Sequence, residues 1–97
     1  MIKYLEIYRD YLVVSKGSSM KTIEAYIRDI KQYFDISKNR GVEVYLNYLY
    51  NKGYVATSVN RKLSALNSYY KFLLKYNYCN DNPFSNIEFA KTERKIP

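Results

Sequence analysis

TSVNRKLSALNSYYKFLLK, residues 57–75, reads as one amphipathic helix. Val59, Leu63, Leu66, Tyr70 and Leu73 recur at steps of three and four, which stacks them on one face. Thr57, Arg61, Ser64, Ser68 and Lys71 recur the same way on another face. The first face requires a core. The second offers cations and hydroxyls, and between residues 44 and 80 there are five basic residues and no Asp or Glu. A helix laid against a nucleic-acid backbone needs that combination, because no carboxylate is present to repel a phosphate.

Working outward, the chain is helical almost throughout, with only three Gly and two Pro to punctuate it. A first helix is expected over residues 2–14, with Leu5, Tyr8, Leu12 and Ile2 inward. Lys16-Gly17-Ser18 breaks it. Ser19 is a good N-cap for a second helix over residues 20–36, since its hydroxyl can accept a bond from a first-turn amide. Ile23, Ile27, Ile30 and Phe34 form its apolar stripe, leaving Lys21, Arg28, Lys31 and Asp35 more exposed. Ser37-Lys38-Asn39-Arg40-Gly41 is a connection, and a third helix over residues 42–51 carries Val42, Tyr45, Leu46 and Leu49. Gly53 suits the left-handed position that ends it. The long fourth helix is expected to be capped by Thr57 or Ser58. Asn80-Asp81-Asn82-Pro83 then turns the chain, residues 84–89 can form a short fifth helix, and KTERKIP from Lys91 has no apolar period. No segment alternates with period two between hairpin turns, so the expected fold is all-α, a compact bundle of four to five helices.

Length and composition narrow the function classes. At 97 residues there is room for one domain, set at residues 1–89, with residues 90–97 as a linker. A hydrophobic content of 47% argues against disorder. No apolar run approaches the roughly 18 residues that a spanning helix needs, so no membrane partner is expected. Glu6, Arg9 and Asp10 interrupt the apolar start, and no small-residue cleavage site follows, so no secretory signal is expected. The lone Cys79 has no second Cys and no His with which to bridge or hold zinc, and a cytoplasmic location follows as the expectation. The net charge of +7 favours a polyanionic partner. Residues 1–51 hold eight basic and six acidic residues, whereas residues 52–97 hold eight and three, so the excess lies in the second half. AT-rich coding could raise Lys, Asn and Tyr without any such partner, and charge alone does not decide between them.

Two segments carry a family resemblance. Ser19-Met20-Lys21-Thr22-Ile23-Glu24-Ala25-Tyr26-Ile27-Arg28-Asp29-Ile30 has the character S-x-x-T-x-x-A-Y-x-x-D-L. About thirty residues on, Asn60-Arg61-Lys62-Leu63-Ser64-Ala65-Leu66 and the Tyr69-Tyr70-Lys71-Phe72-Leu73 that follows have the character N-R-x-L-S-A-L-x-x-F-Y-x-F-L. In this order, with the Asn82-Pro83 turn and the basic tail to Pro97, they resemble the N-terminal core-binding domain of the tyrosine recombinases, the phage integrase and Xer-type family. The resemblance covers essentially the whole chain, with fewer residues than usual around residues 37–41.

The resemblance implies a SAM-like helical bundle that forms one jaw of a clamp on double-stranded DNA, with other recombinase protomers as further partners on that DNA. The isolated chain is expected to be monomeric and to be one piece of a longer recombinase. Lys21, Thr22, Tyr26 and Arg28 match the DNA-facing part of the second helix. Thr57, Ser58, Asn60, Arg61, Lys62 and Ser64 match the start of the fourth, and Lys71 continues its basic face. Lys91, Arg94 and Lys95 are candidate linker contacts. Helix starts also present free amides and a positive dipole end, so caps at Ser19 and Thr57 beside Lys21 and Arg61 would make two anion-binding corners. Each residue has a plainer alternative. Arg61 and Lys62 can be solvated surface, Asn60 an ordinary helix-start residue, Ser64 and Ser68 small residues at a helix crossing, and Asp29 an intramolecular partner.

The family cleaves DNA with a tyrosine, and this chain has thirteen. Catalysis here is nevertheless not expected. A phenol ionising near about 10 is a poor nucleophile without activating neighbours, and no His stands in the chain to join a cluster that stabilises and protonates the leaving group. The tyrosines fall on or beside the apolar stripes and are expected to pack, with Tyr26 placed to send its hydroxyl toward a phosphate. No catalytic residue, metal site or cofactor is expected. The alternative to a DNA-binding module is a basic helical module that meets an acidic protein partner, either as a regulator or as an accessory part of an assembly.

Overall fold

The computed structural model describes residues 2–38 and 40–85. A 3-10 turn over Ile2–Tyr4 leads into four α-helices, α1 Leu5–Val14, α2 Met20–Ser37, α3 Val42–Asn51 and α4 Ala56–Lys75. The fold is the expected all-α bundle. Ser19 caps α2 as the sequence predicts, its Oγ accepting from the Thr22 amide at 3.2 Å. The left-handed Lys38, at φ 46°, closes the same helix, and its amide donates to the Phe34 carbonyl at 3.2 Å.

The fourth helix departs from expectation at its start. Val55 is extended at φ −76° and ψ 162°, and its carbonyl accepts from the Val59 amide at 3.0 Å. The helix therefore opens at Ala56, one residue before the expected range, and its cap lies two residues before Thr57. Neither Thr57 nor Ser58 caps it; both stand within the first turn. Beyond α4, Asn82 Oδ1 accepts from the Phe84 amide at 2.8 Å and Asn82 Nδ2 donates to Asn67 at 2.8 Å, which returns the chain onto α4 and buries Phe84. The proposed helix over residues 84–89 and the tail with Lys91, Arg94 and Lys95 lie outside the described residues, apart from the turn through Ser85.

Burial on α4 extends well beyond its predicted stripe. Val59, Leu63, Leu66, Tyr70 and Leu73 are buried as read, but so are Lys62, Ala65, Tyr69 and Phe72. The reason is that α4 packs on α1 as well as on α2. Tyr8 of α1 meets Tyr69 at 5.1 Å and Phe72 at 5.2 Å between ring centroids, while Tyr33 of α2 meets Tyr45 of α3 at 5.3 Å and Phe84 at 5.2 Å. Such tilted and edge-on pairs add about 0.5–1.5 kcal/mol each beyond the area they bury. Ile27 and Phe34 are only partly buried and lean against this core.

Aromatic packing of this kind ties stability to alkaline pH. Burial pushes the ionisation of Tyr8, Tyr33, Tyr45, Tyr69 and Tyr70 above the ordinary tyrosine value. In the unfolded chain the same phenols release their protons near about 10, so above that pH the folded state binds more protons than the unfolded one. The contribution of these phenols to stability is then constant below about pH 10 and falls as pH rises beyond it. An alkaline titration followed by circular dichroism and phenolate absorbance is expected to show the last phenolates appearing together with loss of helix. Their smooth appearance in a chain that stays helical would contradict this.

Candidate nucleic-acid interface

The relative direction of α2 and α4 follows from their cross-contacts. Gln32 reaches Tyr54, Asp29 reaches Arg61 and Lys62, and Thr22 and Tyr26 line a cleft with Ser68 and Lys71. As numbers fall on one helix they rise on the other, so the two run antiparallel. Their N-terminal ends therefore point in opposite directions. Of the two expected anion-binding corners, the one that required a Thr57 cap is not formed, and Lys21 at the other lies about 12 Å along the α2 axis from the level of Arg61. Functional groups are distributed along a shared seam instead.

At one end of that seam Asp29 is fully buried and holds two cations. Its Oδ2 accepts from Arg61 Nε at 3.1 Å, and its Oδ1 accepts from Arg61 Nη2 at 3.3 Å and from Lys62 Nζ at 2.8 Å. The Lys62 side chain is 7% exposed and the Arg61 side chain 47%. Lys62 Nζ also sits 5.0 Å from the Tyr54 ring centroid, and Gln32 bridges Tyr54 to Tyr45 with bonds of 3.3 and 2.7 Å. A buried carboxylate left alone would be strongly destabilising, so this pairing is required rather than ornamental. One carboxylate against two cations leaves a positive centre. Arg61 commits two N–H groups to Asp29 and keeps the rest of its five-donor fork for the solvent side.

The predicted site residues thus divide. Lys62 was read as an outward cation, and the structure corrects this: its ammonium is consumed inside the bundle. The signal was present in the sequence, because Lys62 stands three residues after Val59 and four before Leu66, within the apolar face. Asp29 has the intramolecular role proposed for it. Thr57, Arg61 and Lys71 are exposed along α4, with Ser58, Asn60 and Ser64 half-buried beside them. Thr22 and Tyr26 meet Lys71 in the cleft, whereas Arg28 opens on a different groove with Arg9, Glu24 and Lys31. Lys21 is exposed in the first turn of α2. The Ser19 hydroxyl donates to Thr22 Oγ1 at 3.1 Å. Lys75, four residues after Lys71, is exposed and continues the same side of α4.

Among the described residues no group of His, Cys, Asp and Glu could hold a metal ion, and no helix is long and apolar enough to cross a membrane. The family model described as phage integrase, N-terminal SAM-like domain, matches residues 5–77. Curated relatives include the tyrosine recombinase XerC of Pediococcus pentosaceus, 32% identical over 99% of this chain and 36% of its own length. The tyrosine recombinases XerC of Oceanobacillus iheyensis and Bacillus subtilis are 30% and 28% identical over 97% of the chain. The chain spans about a third of the length of these relatives. No solved structure matches it significantly.

Asp29→Ala is expected to destabilise the domain by about 3–5 kcal/mol in denaturant unfolding, because it strands the Lys62 ammonium in the interior. The paired replacement Asp29→Leu with Lys62→Met is expected to recover most of that loss, since an apolar pair of similar volume carries no desolvation penalty. Equal stability of the single and double variants would refute the account.

Proposed function

Because the chain belongs to the family of phage integrase N-terminal SAM-like domains, we propose that it is the DNA-binding module of a site-specific tyrosine recombinase, acting in the cytoplasm. It corresponds to the non-catalytic N-terminal domain. In this reading α2 and α4 grip duplex DNA, strand cleavage and rejoining belong to another part of the parent protein, and further protomers join on the same DNA.

The observation that carries the proposal is the stripe on α4. Thr57, Arg61, Ser64, Ser68, Lys71 and Lys75 recur on one side of the helix, none of them in the core, and among the described residues only Arg61 pairs with a carboxylate. From Thr57 to Lys75 the stripe is about 27 Å long. That exceeds the roughly 12 Å width of a major groove, so a helix laid across it can reach backbone on both sides. The hydroxyls and lysines of such a stripe fix position on phosphate, and Asn60, Arg61 and Ser64 are the side chains nearest the helix start that can address base edges. Arg61 enters this surface with its orientation already set by Asp29, so less side-chain freedom is lost on contact.

Fluorescence anisotropy with duplex DNA across a salt series tests the reading. If four to six phosphates are neutralised, log affinity falls with log salt at a slope of about −4 to −5. Arg61→Ala is expected to weaken binding and to lower the magnitude of that slope by about one. Lys62→Met, at a buried position, is expected to leave the slope unchanged as long as circular dichroism shows the fold intact. Salt-independent binding, or binding only to an acidic protein, would overturn the proposal.

A further inference from the structure

At the opposite end of the seam from Asp29, a cleft of about 390 Å³ lies where the loop after α1, the first turns of α2 and the C-terminal half of α4 converge. Lys16, Lys71 and Lys75 line it, together with the hydroxyl residues Ser18, Thr22 and Ser68. No carboxylate does. The grooves along α1 differ in this respect, since they include Glu6 and Asp10, Glu24, or Asp10 among their walls. Among the described residues both ion pairs go to Asp29, so none of the three lysines is neutralised. Lys75 Nζ instead rests 5.9 Å from the Tyr11 ring centroid and 5.6 Å from that of Tyr76, contacts that hold an ammonium without removing its charge.

A second, independent feature points the same way. Tyr8 also lines the cleft, is 1% exposed, and its hydroxyl is buried without a hydrogen-bond partner. Burial is the main cause that raises its ionisation, with Tyr26 and Tyr11 adding to it, and the Ser68 hydroxyl lowers it from a position that falls short of a formed hydrogen bond. A buried donor without an acceptor costs about 1–3 kcal/mol, and an anion oxygen settling among these hydroxyls would supply one. We propose that this cleft is a seat for a single phosphodiester group of the nucleic-acid backbone, held by Lys16, Lys71 and Lys75 and by the hydroxyls around Ser68. The assignment rests on the DNA-binding reading above. It deepens that reading by fixing the register of α4 at its far end, some 15 Å along the helix from Arg61.

The test compares the 97-residue chain with three variants, each first checked by thermal melting. Lys16→Gln is expected to weaken duplex binding while changing the salt slope by well under the roughly 0.9 of one phosphate, because Lys71 and Lys75 still neutralise the group. The triple variant Lys16→Gln, Lys71→Gln, Lys75→Gln is expected to lower the slope by about 0.9, since the three lysines share one phosphate. Tyr8→Phe removes a donor and no charge. It is expected to leave the slope unchanged while weakening binding roughly 2- to 10-fold, the worth of one hydrogen bond. Duplex binding whose affinity is indifferent to Lys16 and whose slope is unchanged in the triple variant overturns the seat and leaves the DNA reading standing, as does a triple variant that loses about three times the share of one phosphate, which describes a flat patch. Melting with inorganic phosphate at fixed ionic strength separates the remaining case. Lys16-dependent stabilisation by phosphate in a chain that does not bind duplex overturns both the DNA reading and the phosphodiester as occupant.

Discussion

One buried carboxylate sets the geometry on which the rest of this domain depends. Asp29 has no exposure to water, so its charge must be met inside the bundle, and only a cation brought to within hydrogen-bond reach can do that. Arg61 and Lys62 supply it from α4. A shift of α4 by one residue along its axis would move those groups by about 1.5 Å and turn them through about a quarter of a circle. The same turn would carry Val59, Leu63, Leu66 and Leu73 off the core, so the apolar packing and the charge cluster demand one and the same register of the two helices.

The same cluster joins structure to the proposed function. Lys62 neutralises Asp29 from inside, next to Tyr54 and the Gln32 bridge, which frees Arg61 to divide itself between the carboxylate and the solvent. Neighbouring residues on one helix thus have opposite destinations. One is structural and the other stands at the surface with a defined orientation. At the far end of the seam the lysines have no carboxylate among the described residues, and the positive potential there is unmodified. A duplex approaching this surface would meet a set cation at one end and a cleft of free cations at the other.

Tyrosine enrichment has a comparable double reading. Thirteen phenols in a chain related to enzymes that use one as a nucleophile invite a catalytic interpretation. Five of them instead have their ionisation raised by burial, the opposite of what a nucleophile requires. Their rings fill the junctions among all four helices, where aliphatic side chains alone would leave a small domain with little area to bury.

Local chemistry wrote much of this into the sequence: the four helices, the Ser19 cap, the left-handed Gly53 after α3, and the apolar stripe from Val59 to Leu73. Each of these depends on a few neighbouring residues and on the period of 3.6, and so is readable without knowing what lies across the interface. The start of α4 was misread by one residue because Val55 satisfies the first turn through its backbone alone, which leaves no side-chain signature. The second buried flank of α4, the antiparallel sense of α2 and α4, and the opposite fates of Arg61 and Lys62 were decided by tertiary structure. Those properties belong to pairs of residues more than thirty positions apart, and a charge is drawn into the interior only when the fold places its partner there.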